Sequence, residues 1–239
     1  MQQGGQSIVR KLGLIGGMSW VSTQTYYEHI NRTVQARAGA LSSAPLLIES
    51  LDFAQLSRLS GAEDWERAGA ILAESAQRLE QAGAEALVIG ANSMHKVYDR
   101  VAEAVSVPIL HIADCVGARM QADGVKTAAL IGTRNVMTES FYRQRLVAHG
   151  VDLLAPDMGN VEALDRIIYD ELMRGKVTRS AQRTLKTIIT VKAQERAQAI
   201  VLACTELEMV VDVDANVLPI YDCTQIHARA AVEWILGKD

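Results

Sequence analysis

Ala199-Ile-Val-Leu-Ala-Cys204-Thr-Glu-Leu-Glu208 is the stretch on which the reading of this chain turns. A short apolar run, Ile200 to Ala203, leads into Cys204 and then into the polar pair Thr205 and Glu206. Such a run predicts a buried strand that delivers a thiol to its carboxyl end. In open α/β sheets that edge is where ligands bind. The alternative is a buried core cysteine, a common fate for this residue. A second copy of the pattern favours the first reading: Ala86-Leu-Val-Ile-Gly-Ala91-Asn92-Ser93-Met94-His95, with Ala91 at the position of Cys204.

Working outward, the order of elements repeats. Leu12-Gly-Leu-Ile-Gly-Gly-Met18-Ser19 predicts a strand and a glycine turn, then a helix carrying Tyr26, Tyr27, Ile30 and Val34 and capped by Ser22 or Thr23. Pro45 to Ile48 predicts a second strand, ending in Glu49, Ser50 and Asp52. Trp65, Ala68, Ile71, Leu72 and Leu79 mark one face of a helix over 63–82, stopping near Gly83. A helix through Val97 and Val101 follows the strand at 86–89, and Val107 to Asp114 predicts a further strand. In the second half Lys126 to Gly132 is again strand then glycine turn, and 140–149 is helical. Val151 to Leu154 is strand-like, 160–174 and 179–197 are helical, and Val217 to Asp222 mirrors the strand at 107. A last helix carries Ile226, Ala230, Val232 and Trp234.

The spacing supports the repeat: Gly16 to Ala91 is 75 residues and Gly132 to Cys204 is 72. Alternating strands and helices imply parallel sheets with right-handed crossovers. The expected fold is α/β, with two pseudo-twofold-related subdomains, each a mostly parallel sheet flanked by helices. They span residues 1–116 and 117–239, with part of the C-terminal segment free to join the first, and with the site in the cleft between them.

Composition bounds the function. The 239 residues are 49% hydrophobic and 22% charged, as in globular chains. A net charge of −4 argues against nucleic acid or an anionic membrane as partner. No apolar run reaches the roughly 18 residues of a membrane span, and Met1 to Ser7 lacks signal-peptide character. Cys115, Cys204 and Cys223 are too scattered for a disulfide framework or zinc ribbon, which points to free thiols in the cytoplasm. No cluster has metal-ligand spacing.

Gly16-Gly-Met-Ser-Trp20, Asn92-Ser-Met-His-Lys-Val97, His111-Ile-Ala-Asp114, Gly132-Thr-Arg134 and Cys204-Thr-Glu206 together resemble the aspartate/glutamate racemases that work without a cofactor. The likeness is closest to the branch with a Gly-Gly-Met-Ser-Trp opening and an Asn-Thr-Met-His motif, and it runs over nearly the whole chain. It implies a small acidic amino acid or dicarboxylate as the ligand, no cofactor or metal, and a homodimer. It also implies Cys204 as a proton-transferring thiol and Met18, Ser19 and Ser50 as substrate contacts. Asn92, Ser93 and Thr205, which follow strand ends, and Thr133, on the second glycine turn, read from their positions as ligand contacts or as helix caps.

Inverting an α-carbon takes one group to remove the proton and another to return it on the opposite face. Typical members of the family use two cysteines, one from each half, and in the closest branch the first-half position can be threonine. Here the first-half position holds Ala91, whose methyl group carries no exchangeable proton, so weak, one-sided or absent activity is expected. Water, Ser93 or His95 would have to serve the second face. His95 reads first as a structural hydrogen-bond partner, and His111 equally as a core histidine or a ligand contact. Cys115 and Cys223 read as structural. Two other functions remain open: a single-thiol decarboxylase of malonate-type acids, similar to the arylmalonate decarboxylases, or a ligand-binding homologue without catalysis.

Overall fold

The computed structural model describes residues 10–57, 59, 61–212 and 214–237; the Met1 to Ser7 reading lies outside them. In the first half β1 (Leu12–Gly16) leads to α1 (Trp20–Ala38), β2 (Leu46–Ser50) to α2 (Ala62–Gln81), and β3 (Ala86–Ile89) to a 3-10 turn, Ser93–Val97, and α3 (Tyr98–Glu103). β4 (Ile109–Leu110) closes the sheet and leads to α4 (Ile112–Ala122). The order is β2-β1-β3-β4, all parallel, with Gly16 beside Ser50 and Ile15 beside Ile89.

The second half repeats this. β5 (Thr127–Gly132) is followed by α5 (Arg134–Thr138) and α6 (Ser140–Ala148), and β6 (Asp152–Leu153) by α7 (Met158–Arg166). α8 (Arg179–Gln194) comes before β7 (Ala199–Ala203), whose end passes into a 3-10 turn over Thr205–Met209. β8 (Ile220–Asp222) and α9 (Cys223–Ile235) complete the chain. The order β6-β5-β7-β8 is again parallel, with Gly132 beside Ala203. β1, β3 and β7 are buried on both faces, which is why their sequences are unbroken apolar runs.

The two sheets exchange their last helices. α4 follows the first sheet, yet Ile112, Val116 and Met120 pack with Ala128, Tyr142 and Val201 of the second half. α9 follows the second sheet, yet Ala228, Ala231, Val232 and Ile235 pack with Leu12, Leu14, Tyr26 and Val88 of the first. Each such side chain removed from water is worth about 1.5–3 kcal/mol for Val, Leu or Ile, so burial ties the halves together at both crossings.

Several boundaries differ from the expectations, each for a local reason. α1 is capped by Ser19, whose hydroxyl accepts from the Ser22 amide, and not by Ser22 or Thr23, which lie inside the helix. Thr23 instead takes the Gly17 amide at 2.7 Å and closes the turn. Gly17 itself has φ +83°, and a Cβ there would lie 2.1 Å from the Leu51 carbonyl oxygen, so glycine is required. The strand expected over 107–114 is only Ile109–Leu110, because the His111 side chain caps α4 by accepting the Ala113 amide. The strand expected from Val217 begins only at Ile220. The helix over 160–174 is α7 followed by a π turn and a 3-10 turn, ended by left-handed Gly175.

Candidate active site

The site gathers where β1, β3, β5 and β7 all end. Cys204 is the first residue beyond β7 and is buried. Its thiol donates to Glu206 Oε2 at 3.1 Å. Burial, and then the Glu206 carboxylate beside it, push the thiol well above its ordinary range, so it rests as a neutral S–H. The Glu206 amide hydrogen-bonds back to the sulfur and acts in the opposite sense.

Glu206 is the centre of the polar cluster and is only 2% exposed. Its Oε1 accepts from Ser19 and Ser22, each at 2.8 Å, and its Oε2 accepts from Thr205 at 2.8 Å as well as from Cys204. Ser22 and Thr205 also bond each other. The N-terminal turn of α1 and the 3-10 turn after β7 are therefore joined across the two halves. Sequence reading quoted Glu206 only as part of a motif and took Ser22 for a cap. The signal available was an acidic side chain two residues past a strand-end cysteine.

Asn92 follows β3 and is buried. Its Oδ1 accepts from Tyr142 of α6, whose hydroxyl also contacts Cys223 Sγ at 3.1 Å. Its Nδ2 has no partner, and neither does the buried Oγ1 of Thr133, which follows β5. Two buried, unpartnered polar atoms at strand ends from opposite halves are costly unless a ligand meets them. Because Gly132 lies beside Ala203, Thr133 and Cys204 leave neighbouring strands side by side. Thr133 also lines a cavity of about 330 Å³ that Leu59 of the first half completes and that two arginines, Arg134 and Arg166, and two aspartates, Asp165 and Asp170, rim. The two arginines were not read from sequence as site residues.

The remaining expected residues divide. Met18 and Ala91 are buried in one apolar cluster with Ile15, Leu56 and Met94. Ala91 presents only its methyl group there, and its carbonyl accepts from His95 Nδ1 at 2.9 Å. Ser93 is half-buried in the 3-10 turn, and Ser50 is exposed at the end of edge strand β2, outside the polar cluster. His95 is fixed structurally: its Nε2 accepts the Ile112 amide, so Nδ1 carries the proton. Burial and then the nearby His227 ring lower its pKa to about 3, and as a neutral ring with both nitrogens engaged it has no proton to move. His111 is likewise lowered, by burial and then by His95. Cys223 is buried in the core at the start of α9, and burial pushes its thiol well above the ordinary range. Cys115 is half-buried on α4. Among the described residues no group of His, Cys, Asp or Glu could hold a metal ion, and no helix is long and apolar enough to cross a membrane.

Two parallel sheets related by a pseudo-twofold, with a thiol and buried polar groups at facing strand ends, define a class of two-lobed α/β proteins with an interlobe site. The Asp/Glu/hydantoin racemase family model matches residues 15–231, and the chain belongs to that family. It is 24% identical over 164 residues to the broad specificity amino-acid racemase RacX of Bacillus subtilis, covering 69% of this chain and 70% of RacX. A crystal structure of a candidate Asp/Glu racemase from Yersinia pestis is 39% identical and superposes with TM-score 0.87 over 95% of this chain and 99% of its own. An aspartate racemase homologue from Pyrococcus horikoshii OT3 is 30% identical, with TM-score 0.82 over 95% of this chain and 99% of its own.

Proposed function

We propose that this protein is an isomerase-family enzyme that moves the α-proton of a small acidic amino acid, of the aspartate or glutamate class, through the Cys204 thiol and without a cofactor. The observation that carries this reading is the buried Cys204 S–H at the end of β7, beside Thr133 and within one polar cluster with Ser19 and Thr205. Family membership supports the reaction class, and RacX is named as a broad specificity amino-acid racemase.

In the proposed pose the substrate α-carboxylate takes the unpartnered Asn92 Nδ2 and the Thr133 hydroxyl. Hydrogen bonds to that carboxylate stabilise the enediolate-like charge that forms when the α-proton leaves. A second carboxylate would reach the neighbouring cavity, where Arg134 and Arg166 stand among Asp165 and Asp170. Cys204 serves one face of the α-carbon. The other face meets the Ala91 position, where neither the methyl group nor the tied-up His95 holds a transferable proton. Proton transfer is therefore one-sided, and full racemisation depends on water. The setting we expect is the cytoplasm, on the sparse and scattered cysteines, and a homodimer, as the family resemblance implies.

The same asymmetry favours a second reading, in which the neutral Cys204 thiol delivers a proton to one face of a carbanion left by loss of carbon dioxide from a malonate-type acid. The test compares wild type, A91C, A91T and C204A for racemisation of aspartate and glutamate by chiral chromatography. Racemisation gained by A91C or A91T and absent from C204A supports the first reading. Carbon dioxide released from disubstituted malonates, with no turnover of either amino acid by any variant, would replace it with the second.

A further inference from the structure

Two carboxyl groups that the proposed reaction does not use meet beside the turn that follows Cys204. Asp222 ends β8 and is only 5% exposed. Its Oδ1 accepts the Thr224 and Gln225 amides and so caps α9. Its buried Oδ2 has no donor, and neither has the buried Oε2 of Glu208, in the Thr205–Met209 turn, in bonding geometry. The two carboxyl groups lie within hydrogen-bonding reach of each other. Carboxylates only accept, so two anions there would form no bond and would repel in a buried setting. One proton between them removes both costs, because a hydrogen bond from a carboxyl to a carboxylate is short and strong.

The surroundings supply no other donor. On α1, His29 Nε2 stands 3.5 Å from Glu208 Oε2 and places a positive charge on the outer side. Tyr26 spends its hydroxyl on His227, and Glu28 pairs with Arg32. Cys223 on α9 contacts the Tyr142 hydroxyl, and burial raises both its thiol and that of Cys115 on α4, so both are neutral. Arg119 and Arg229 line the groove outside Asp222, but Arg119 is held by Asp123 and neither pairs with Asp222 among the described residues.

From this geometry we propose that Asp222 and Glu208 share one proton, and that this proton is a pH-operated clasp on the site. Held, it ties the turn that carries Thr205 and Glu206 to the start of α9. Released to water, with its electron pair left on oxygen, it sets two anions face to face. Asp222 is anchored by the α9 amides, so Glu208 and its turn give way. Because α9 packs on the first sheet, the clasp also bears on the joint between the halves. Burial and then Glu208 raise Asp222 from its ordinary 3.8 to about 6, so the site is held more firmly in mildly acid solution than in neutral. The clasp stands whatever chemistry Cys204 performs.

The test is amide hydrogen exchange of the full chain, followed by NMR at about pH 5 and about pH 7 and corrected for intrinsic rates, in wild type, D222N and E208Q. The turn is read at Leu207, Val210 and Val211, whose amides bond within it, with β7 as reference. Opening of the turn returns Asp222 to 3.8, so proton binding at about 6 raises the turn's protection about tenfold from pH 7 to pH 5. Over the same range the buried His95 and His227 weaken the whole fold, so β7 loses protection. A side-chain amide at either position donates permanently to the remaining carboxylate. D222N and E208Q therefore keep the turn protected at both pH values and lose the tenfold step. A protonated-carboxyl stretch also grows in the wild-type infrared spectrum as pH falls through 6, and is missing from both variants. A turn that loses protection together with β7, a step that survives in both variants, or a wild-type spectrum without that band overturns the proposal.

Discussion

Three buried histidines make the stability of this protein steeply dependent on pH just below neutrality. His95 bridges the Ala91 carbonyl and the Ile112 amide, and His227 bridges the Tyr26 hydroxyl and the Leu110 carbonyl, so each uses both ring nitrogens as a neutral ring. Burial lowers His95 to about 3 and His227 to about 4, and it lowers His111 as well. Unfolded, each ring titrates near 6.5. A group whose folded pKa is depressed in this way contributes stability that is complete above pH 6.5 and lost as pH falls toward the folded value.

Asp222 runs the other way. Burial, and then Glu208, raise its carboxyl to about 6, so it binds a proton in the folded state first and stabilises as pH falls through 6. His29, raised by its hydrogen bond to Glu208, is protonated in both states over this range. Between pH 6 and 5 the unfolded chain therefore holds roughly two to three protons on these three histidines that the folded chain lacks, while the folded chain holds most of one at Asp222 that the unfolded chain lacks. The net is about two protons. At about 1.4 kcal/mol per proton per pH unit this removes about 2.5 kcal/mol, or a fall of about 5–10 °C in Tm for a chain of this size. Urea unfolding followed by circular dichroism at pH 7, 6 and 5 measures it. H227Q, which cannot titrate, is expected to lower stability at pH 7 but to halve the slope. A wild-type stability that is flat from pH 6 to 5, or an unchanged slope in H227Q, refutes the reasoning.

Further outcomes follow from the site. C204A is expected to lose at least about 100-fold in α-proton exchange with its melting temperature little changed, as read by NMR and calorimetry. A91C is expected to gain racemisation, detected by chiral chromatography, while adding volume to the Met18–Met94 cluster at a cost of about 1–3 kcal/mol, detected as a lower urea midpoint. Tyr142→Phe strands the Asn92 Oδ1 acceptor and the Cys223 thiol, and should cost about 1–3 kcal/mol with a raised KM as Asn92 loses its orientation.

Much of the fold was legible because β1, β3 and β7 are buried on both faces, so their apolar runs and the residues that end them stand out. The repeat placed Ala91 and Cys204 at equivalent strand ends, and Asn92, Thr133 and Thr205 are indeed buried there. What escaped were contacts between residues far apart in the chain. Ser19 and Ser22 reach Glu206 across more than 180 positions, and no local pattern distinguishes such a serine from a helix cap. The apolar run from Val107 points to a strand through Asp114, whereas the His111 side chain already begins α4. The exchange of α4 and α9 between halves was hidden because amphipathic spacing shows that a helix has an apolar face but not which sheet receives it. Ser50 was placed by resemblance alone and lies exposed.

The central claim, one thiol on one face, is tested most directly by incubating the protein with L- and D-aspartate separately in D2O and following the α-proton by NMR. The account predicts that one enantiomer exchanges its α-proton with retained configuration, much faster than the other and much faster than it racemises. Equal exchange of both enantiomers with matching racemisation, or exchange of neither, would contradict it.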